Sequence, residues 1–142
     1  MRGRRRLPDA DKGQIKQTLA RLLAARTEIC FAVVHGSFLE PRGFRDVDLA
    51  VWVDAAKVPR ESALEYEFGL SASIERSIPL PVDVKVLNYA PLSFQYVATR
   101  GDPVFLRDEE AWFTFRERTW RDYLDFVPLA KEALLDLLGS RP

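Results

Sequence analysis

Two short, uninterrupted apolar segments constrain the fold of this chain more than any other feature. They cover residues 29 to 34 and residues 49 to 53. Both are far shorter than the roughly 20 residues that a membrane-spanning helix needs. Continuous apolar runs of this length, bounded by turn residues, are typical of β-strands that are covered on both faces. The chain is therefore predicted to form a central sheet with helices packed against it.

Apolar periodicity and turn residues divide the rest of the chain into further elements. Pro128 is expected to end a helix, because proline has no backbone N–H to donate. The predicted elements are a helix to about residue 26, strands at 29–34 and 46–53, a helix between 62 and 78, a strand at 82–87, a helix from 91 to about 100, an edge strand at 104–106, and helices at 109–126 and 129–138. The apolar face of the 62–78 helix is expected to consist of Leu64, Phe68, Ser71, Ile74 and Ile78. This order predicts the α/β class, with a small mixed sheet, flanking helices and C-terminal helices.

Length and composition fit one folded domain with a short basic arm. The 142 residues are 47% hydrophobic and 30% charged, which is the range of single globular domains. Residues 11–142 are predicted to form the domain, and residues 1–10, with four arginines, a flexible arm. Basic and acidic residues balance at 21 each, so no strong direct binding to nucleic acid is expected. With neither a membrane span nor a secretory signal apparent, the expected location is cytoplasmic.

The residues that imply chemistry lie around the first two predicted strands. Gly36 and Ser37 follow the first strand, and Asp46 and Asp48 begin the second. Alternate residues of a strand point to the same face, so the two carboxylates can be directed at one point. Asp83 lies in the third strand, which a crossover helix can place beside the second. Carboxylates arranged in this way suit Mg²⁺, with Mn²⁺ as an alternative.

These motifs, in this order, resemble the signature of the nucleotidyltransferase superfamily related to DNA polymerase β. The likeness continues in residues 91–97, in the Gly101 turn before residues 104–106, and in residues 121–126. It covers roughly residues 15 to 130. More narrowly, the chain resembles the minimal nucleotidyltransferases, which are MntA-type antitoxins encoded beside HEPN-domain ribonuclease toxins.

The resemblance implies a polymerase-β-like fold and a specific reaction. The protein would transfer AMP from ATP to a tyrosine hydroxyl of a HEPN toxin, with release of pyrophosphate, and would form a hetero-oligomer with that toxin. Asp46, Asp48 and Asp83 would carry the catalysis and bind two Mg²⁺ ions.

The segment between the first two strands would contact the triphosphate of the nucleotide. The resemblance implies that Gly36 and Ser37 hold its phosphates. Members of the group usually have a small hydroxyl residue before the first metal aspartate, whereas this chain has Arg45, which would lie beside the triphosphate. A hydrolase dyad of Ser37 and His35 is disfavoured, because residues two apart at a strand end are poorly placed to act as nucleophile and base. A position near the nucleotide is expected for His35 instead.

Two other functions remain open. The first is an antitoxin that has lost its activity and neutralises its toxin by binding alone, through an aromatic C-terminal helix. The aromatic residues of that helix either pack on the sheet or contact a partner. They are Trp112, Phe113, Phe115, Trp120, Tyr123 and Phe126. The second is a small-molecule nucleotidyltransferase of the antibiotic-modifying kind, although the chain leaves few residues to enclose such an acceptor.

Overall fold

The computed structural model describes residues 9–36 and 46–139, which contain four α-helices and four β-strands. In chain order these elements are α1 (Asp9–Ala24), β1 (Ile29–His35), β2 (Val47–Val53), α2 (Ala63–Glu75), β3 (Val82–Val86), α3 (Leu92–Thr99), β4 (Asp102–Leu106) and α4 (Glu109–Leu137). All four predicted strands are confirmed. Helix α1 begins at Asp9, so the end of the predicted arm is helical, and residues 1–8 lie outside the described residues.

The four strands form one mixed sheet in the order β3-β2-β1-β4. β1 runs antiparallel to both β2 and β4, whereas β2 and β3 are parallel. Helix α2 provides the crossover that a parallel pair requires, as the sequence predicts. β4 is an edge strand, also as predicted, and β3 forms the opposite edge. The fold is thus the expected combination of a small mixed sheet and flanking helices.

Two hydrophobic layers hold the sheet between pairs of helices. On one face, the strands pack against Leu19 and Leu23 of α1 and against Leu70 and Ile74 of α2. The other layer is formed with α3 and α4 and contains Phe31, Val33, Ala50, Leu87, Ala98, Trp112 and Phe115. Because β1 contributes to both layers, its residues from Ile29 to Val34 are continuously apolar.

The predicted apolar face of α2 is wrong in part. Ile74 is buried, but Leu64 is 64% exposed and Phe68 is 69% exposed. The helix instead packs through the stripe of Ala63, Leu70 and Ile74. Two apolar stripes compete on this helix, and the periodicity of the sequence does not distinguish the stripe that faces the sheet.

The predicted break at Pro128 is also wrong, because α4 continues through this residue as a single helix of 29 residues. Proline removes one hydrogen bond, to the carbonyl four residues earlier, and leaves the other bonds of the helix in place. The surrounding residues 124–129 are exposed, so water can satisfy that carbonyl.

Despite the length of α4, no helix within residues 9–36 and 46–139 is long and apolar enough to cross a membrane.

Candidate active site

Three strand ends meet at one corner of the sheet. The end of β1 lies beside the start of β2, because these strands are antiparallel. The start of β3 lies on the other side of the start of β2, because β2 and β3 are parallel. Asp48 is therefore level with His35 on one side and with Asp83 on the other. Asp46 directly precedes β2 and lies close enough to Asp48 for its charge to act on that carboxyl. The predicted pairing of the Asp48 and Asp83 strands is confirmed.

Asp48 has the most perturbed carboxyl group of this corner. Burial and, after it, the negative charges of Asp83 and Asp46 raise the pKa of Asp48 from its usual 3.8 to about 6. Each cause disfavours the ionised form. The chain thus holds a carboxylate where its charge is unfavourable, an arrangement that a bound cation would relieve.

His35 provides no permanent positive charge to balance these carboxylates. Burial lowers the pKa of His35, and Asp83 opposes this shift only in part. The imidazole is therefore neutral at pH 7. Its ring lies edge-on to Phe94 of α3, with the ring centroids 5.3 Å apart. His35 thus forms part of the apolar wall behind the carboxylates.

Gly36 is required by the position of Asp48. Its φ angle of 75° lies in the left-handed region, which favours glycine. A Cβ atom at this position would lie 2.5 Å from Oδ2 of Asp48. The Asp48 carboxylate thus packs directly against the glycine at the end of β1. Ser37 and Arg45, the other two predicted nucleotide-binding residues, lie outside the described residues.

The described residues do not contain a preformed three-ligand metal centre. Within residues 9–36 and 46–139, no three His, Cys, Asp or Glu side chains are close enough together to hold a metal ion. Mg²⁺ needs fewer protein ligands, because it accepts one or two carboxylates and completes its shell with water and substrate phosphates. The hard oxygens of Asp46 and Asp48, together with the like-charge crowding on Asp48, fit such a site.

A groove that the sequence pattern does not predict lies beside these carboxylates. It lies between α2 and the edge strand β3, has a volume of about 470 Å³, and reaches both Asp46 and Asp83. Its α2 wall includes Leu64 and Phe68, the two residues that the sequence pattern assigned to the core. The spacing of Ala63, Leu70 and Ile74 was the one available sign that Leu64 and Phe68 face outwards.

Comparison with known families and structures points to nucleotidyl transfer. A family model described as "Polymerase beta, Nucleotidyltransferase" matches residues 17–110. A comparison with curated protein sequences found no match. Several solved structures share the fold. Their sequence identities are low, so the likeness concerns the fold alone.

The first is a crystal structure of the toxin–antitoxin pair MntA–HepT, which is 14% identical with a TM-score of 0.68 and covers 89% of this chain and 98% of that chain. The second is a tri-AMPylated Shewanella oneidensis HEPN toxin in complex with MNT antitoxin. It is 16% identical with a TM-score of 0.68, and the match covers 89% of this chain and 98% of that chain. The third is a toxin–antitoxin crystal structure with AMP-PNP. It is 16% identical with a TM-score of 0.68, and the match covers 87% of this chain and 98% of that chain.

The raised pKa of Asp48 leads to a prediction about stability. A carboxyl whose folded-state pKa exceeds its unfolded-state pKa favours the fold at low pH, and this contribution is lost as the pH rises through about 6. Asp48→Asn should therefore raise the free energy of unfolding at pH 8 by about 1 kcal/mol, after allowance for solvent screening. The gain should decrease as the pH falls from about 6 and should vanish only below the usual pKa of 3.8.

Urea denaturation in EDTA at pH 8 and pH 4.5 measures this effect. The control is Asp54→Asn, which removes an exposed carboxylate beyond the other end of β2 and should change stability by less than about 0.5 kcal/mol. A loss of stability at pH 8 in Asp48→Asn would show that the carboxylate is not electrostatically strained.

Proposed function

Because the chain belongs to the polymerase β nucleotidyltransferase family, we propose that it transfers AMP from ATP to a tyrosine hydroxyl of a partner HEPN ribonuclease toxin. The register that sets Asp48 level with Asp83, with Asp46 two residues away, is the observation that carries this proposal. Two related folds support the substrate and the partner. One is an MNT antitoxin in complex with an AMPylated HEPN toxin, and another is a toxin–antitoxin with AMP-PNP. Residues 11–142 would act as a single cytoplasmic domain.

The proposed reaction is a displacement at the α-phosphorus of ATP. The tyrosine oxygen forms a bond to this phosphorus as the bond from the phosphorus to the bridging oxygen of the β-phosphate breaks. Pyrophosphate leaves with the electron pair of that bond. The ordinary pKa of tyrosine is about 10, so its hydroxyl needs a group that takes its proton. Asp83 is exposed on β3 and is the proposed acceptor of this proton.

The other site residues would bind and orient the nucleotide. Asp46 and Asp48 are the proposed principal ligands of Mg²⁺, and Asp83 is a proposed further ligand. When bound, Mg²⁺ would neutralise charge on the triphosphate and on the leaving pyrophosphate. Gly36, with Ser37 and Arg45, would hold the phosphates. Gly36 packs against the Asp48 carboxylate, so a phosphate held there would lie beside the metal ligands.

A second candidate function, inhibition of the toxin by binding alone, is favoured by the exposed side of α4. Trp112 and Phe115 pack against the sheet. A neighbouring side of the helix, about 100° around its axis, carries an apolar stripe at intervals of three, four and seven residues, the spacing of a helix that packs against another helix. This α4 stripe consists of Phe113, Trp120, Leu124, Val127 and Leu134, together with Leu138 at the C-cap, each between 39% and 68% exposed. Trp120 at its margin also donates a hydrogen bond to the Thr99 hydroxyl of α3. The same stripe could hold the partner during AMP transfer.

The first prediction of the proposed function concerns the metal ligand Asp48. In an assay with α-³²P-ATP, Mg²⁺ and the purified HEPN partner, Asp48→Asn should reduce label transfer by at least a hundredfold, because it removes one charge that holds the metal. Asp54→Asn should retain the wild-type rate. Equal transfer by wild type and Asp48→Asn would refute the assigned site. Absence of label with every variant, while the partner still binds, would favour the binding-only function.

A second prediction concerns Gly36. In Gly36→Ala the new methyl group would displace the Asp48 carboxylate, so label transfer should fall at least tenfold. Gly139→Ala is a matched control, because Gly139 also has a positive φ, of 66°, but its Cβ would meet no atom within 4 Å. Both variants should lose about 1–2 kcal/mol of stability in thermal denaturation, the cost of placing an alanine in the left-handed region. Similar rates of label transfer by the two variants would show that Gly36 does not contribute to catalysis.

A third prediction tests the α4 stripe. Leu124→Ser should weaken binding of the HEPN partner about tenfold, because a leucine buried at an interface contributes on the order of 1.5 kcal/mol. Leu137→Ser is the control, since Leu137 is 84% exposed on the same helix but lies outside the stripe. Isothermal titration calorimetry compares the two. An equal effect of both substitutions, or no effect of either, would exclude the stripe as the docking surface.

A further inference from the structure

The groove between α2 and β3 has a defined direction. Glu75 accepts a hydrogen bond from the backbone N–H of Val82, and Glu67 accepts one from the backbone N–H of Val86, each over 2.8 Å. Helix α2 therefore runs antiparallel to β3. The end of α2 lies near the start of β3, where Asp83 is, and Leu64 in its first turn lies near the other end of the strand.

The length of the groove matches a short extended polypeptide. Leu64 and Glu75 both line it and are eleven positions apart on α2. At 1.5 Å per helical residue they are about 16 Å apart. An extended chain covers this distance with about five residues.

The two ends of the groove differ in chemistry. One end holds Asp46 and Asp83, the carboxylates of the candidate active site. The other holds the exposed side chains of Leu64 and Phe68, one helical turn apart. These two residues do not belong to the core, so the fold gives no reason for their apolar character. A small acceptor molecule would occupy the first end and leave the second unused.

The edge of β3 is a poor template for an added strand. Glu67 and Glu75 already accept hydrogen bonds from two of its outward N–H groups. A bound segment would therefore be recognised mainly by its side chains. The groove contains more acidic groups than basic ones, with Lys85 lying 4.0 Å from Glu67. This charge favours a segment that carries a basic residue.

We propose that this groove binds the acceptor segment of the partner protein in an extended conformation. The acceptor tyrosine lies at the end formed by Asp46 and Asp83, and an apolar side chain four or five residues away packs against Leu64 and Phe68. This inference deepens the proposed function and rests on it, because it assigns the surface that selects the acceptor.

Steady-state kinetics with the purified HEPN partner and labelled ATP test the apolar end of the groove. Phe68→Ser should raise the KM for the partner about tenfold and leave kcat and the KM for ATP within twofold of wild type. Leu129→Ser is the control, because Leu129 is 66% exposed, close to the 69% of Phe68, but lies on α4 outside the groove, the stripe and the aromatic set of that helix. An unchanged partner KM in Phe68→Ser would overturn the proposal.

Cross-linking provides a second, independent readout. With p-benzoylphenylalanine at position 68, the cross-linked partner peptide should lie within about six residues of the labelled tyrosine. A cross-link to a distant segment would overturn the proposal. If the wild type transfers no label, the proposed function is wrong, whatever the cross-linking result. In that case a cross-link to one defined partner segment would still support the groove as a docking site, whereas the absence of any cross-link would exclude it.

Discussion

The parallel pairing of β2 and β3 is the constraint on which the rest of the structure depends. It sets Asp48 level with Asp83, two residues that are far apart in the sequence. A parallel pair requires a crossover, and α2 supplies it. The crossover then determines where α2 lies, so the pairing that assembles the carboxylates also forms the groove that leads to them.

The candidate site is electrostatically unfavourable, and the core around it explains why the fold tolerates this. Burial and two neighbouring negative charges raise the pKa of Asp48 to about 6. The adjoining strand β1 is buried on both faces, in a central position between β2 and β4. Apolar burial on this scale can hold the strand ends in place against charge repulsion. Local strain of this kind is typical of functional sites.

The elements that position the site were predictable from the sequence because their signals are local. Residues 29–34 are continuously apolar, and residues 82–87 alternate, so both strands follow from side-chain pattern alone. The orientation of α2 did not follow, because Leu64 and Phe68 repeat at the same helical spacing as core residues. The continuity of α4 through Pro128 was also missed, since the cost of a proline depends on whether its surroundings are exposed. The predicted roles of Ser37 and Arg45 stay predictions.

Two exposed apolar surfaces lie on different helices of the described residues, and this arrangement affects how an acceptor would be selected. The groove lies beside α2 along the outer edge of β3, whereas the α4 stripe belongs to the helix layer that packs with α3 on one face of the sheet. A partner held through the stripe would present its acceptor segment at a high effective concentration. The groove would then need to add only the roughly tenfold gain in partner binding that its apolar end supplies, while the end formed by Asp46 and Asp83 positions the tyrosine. Catalysis gains most from such positioning, because the tyrosine oxygen must lie in line with the bond that breaks.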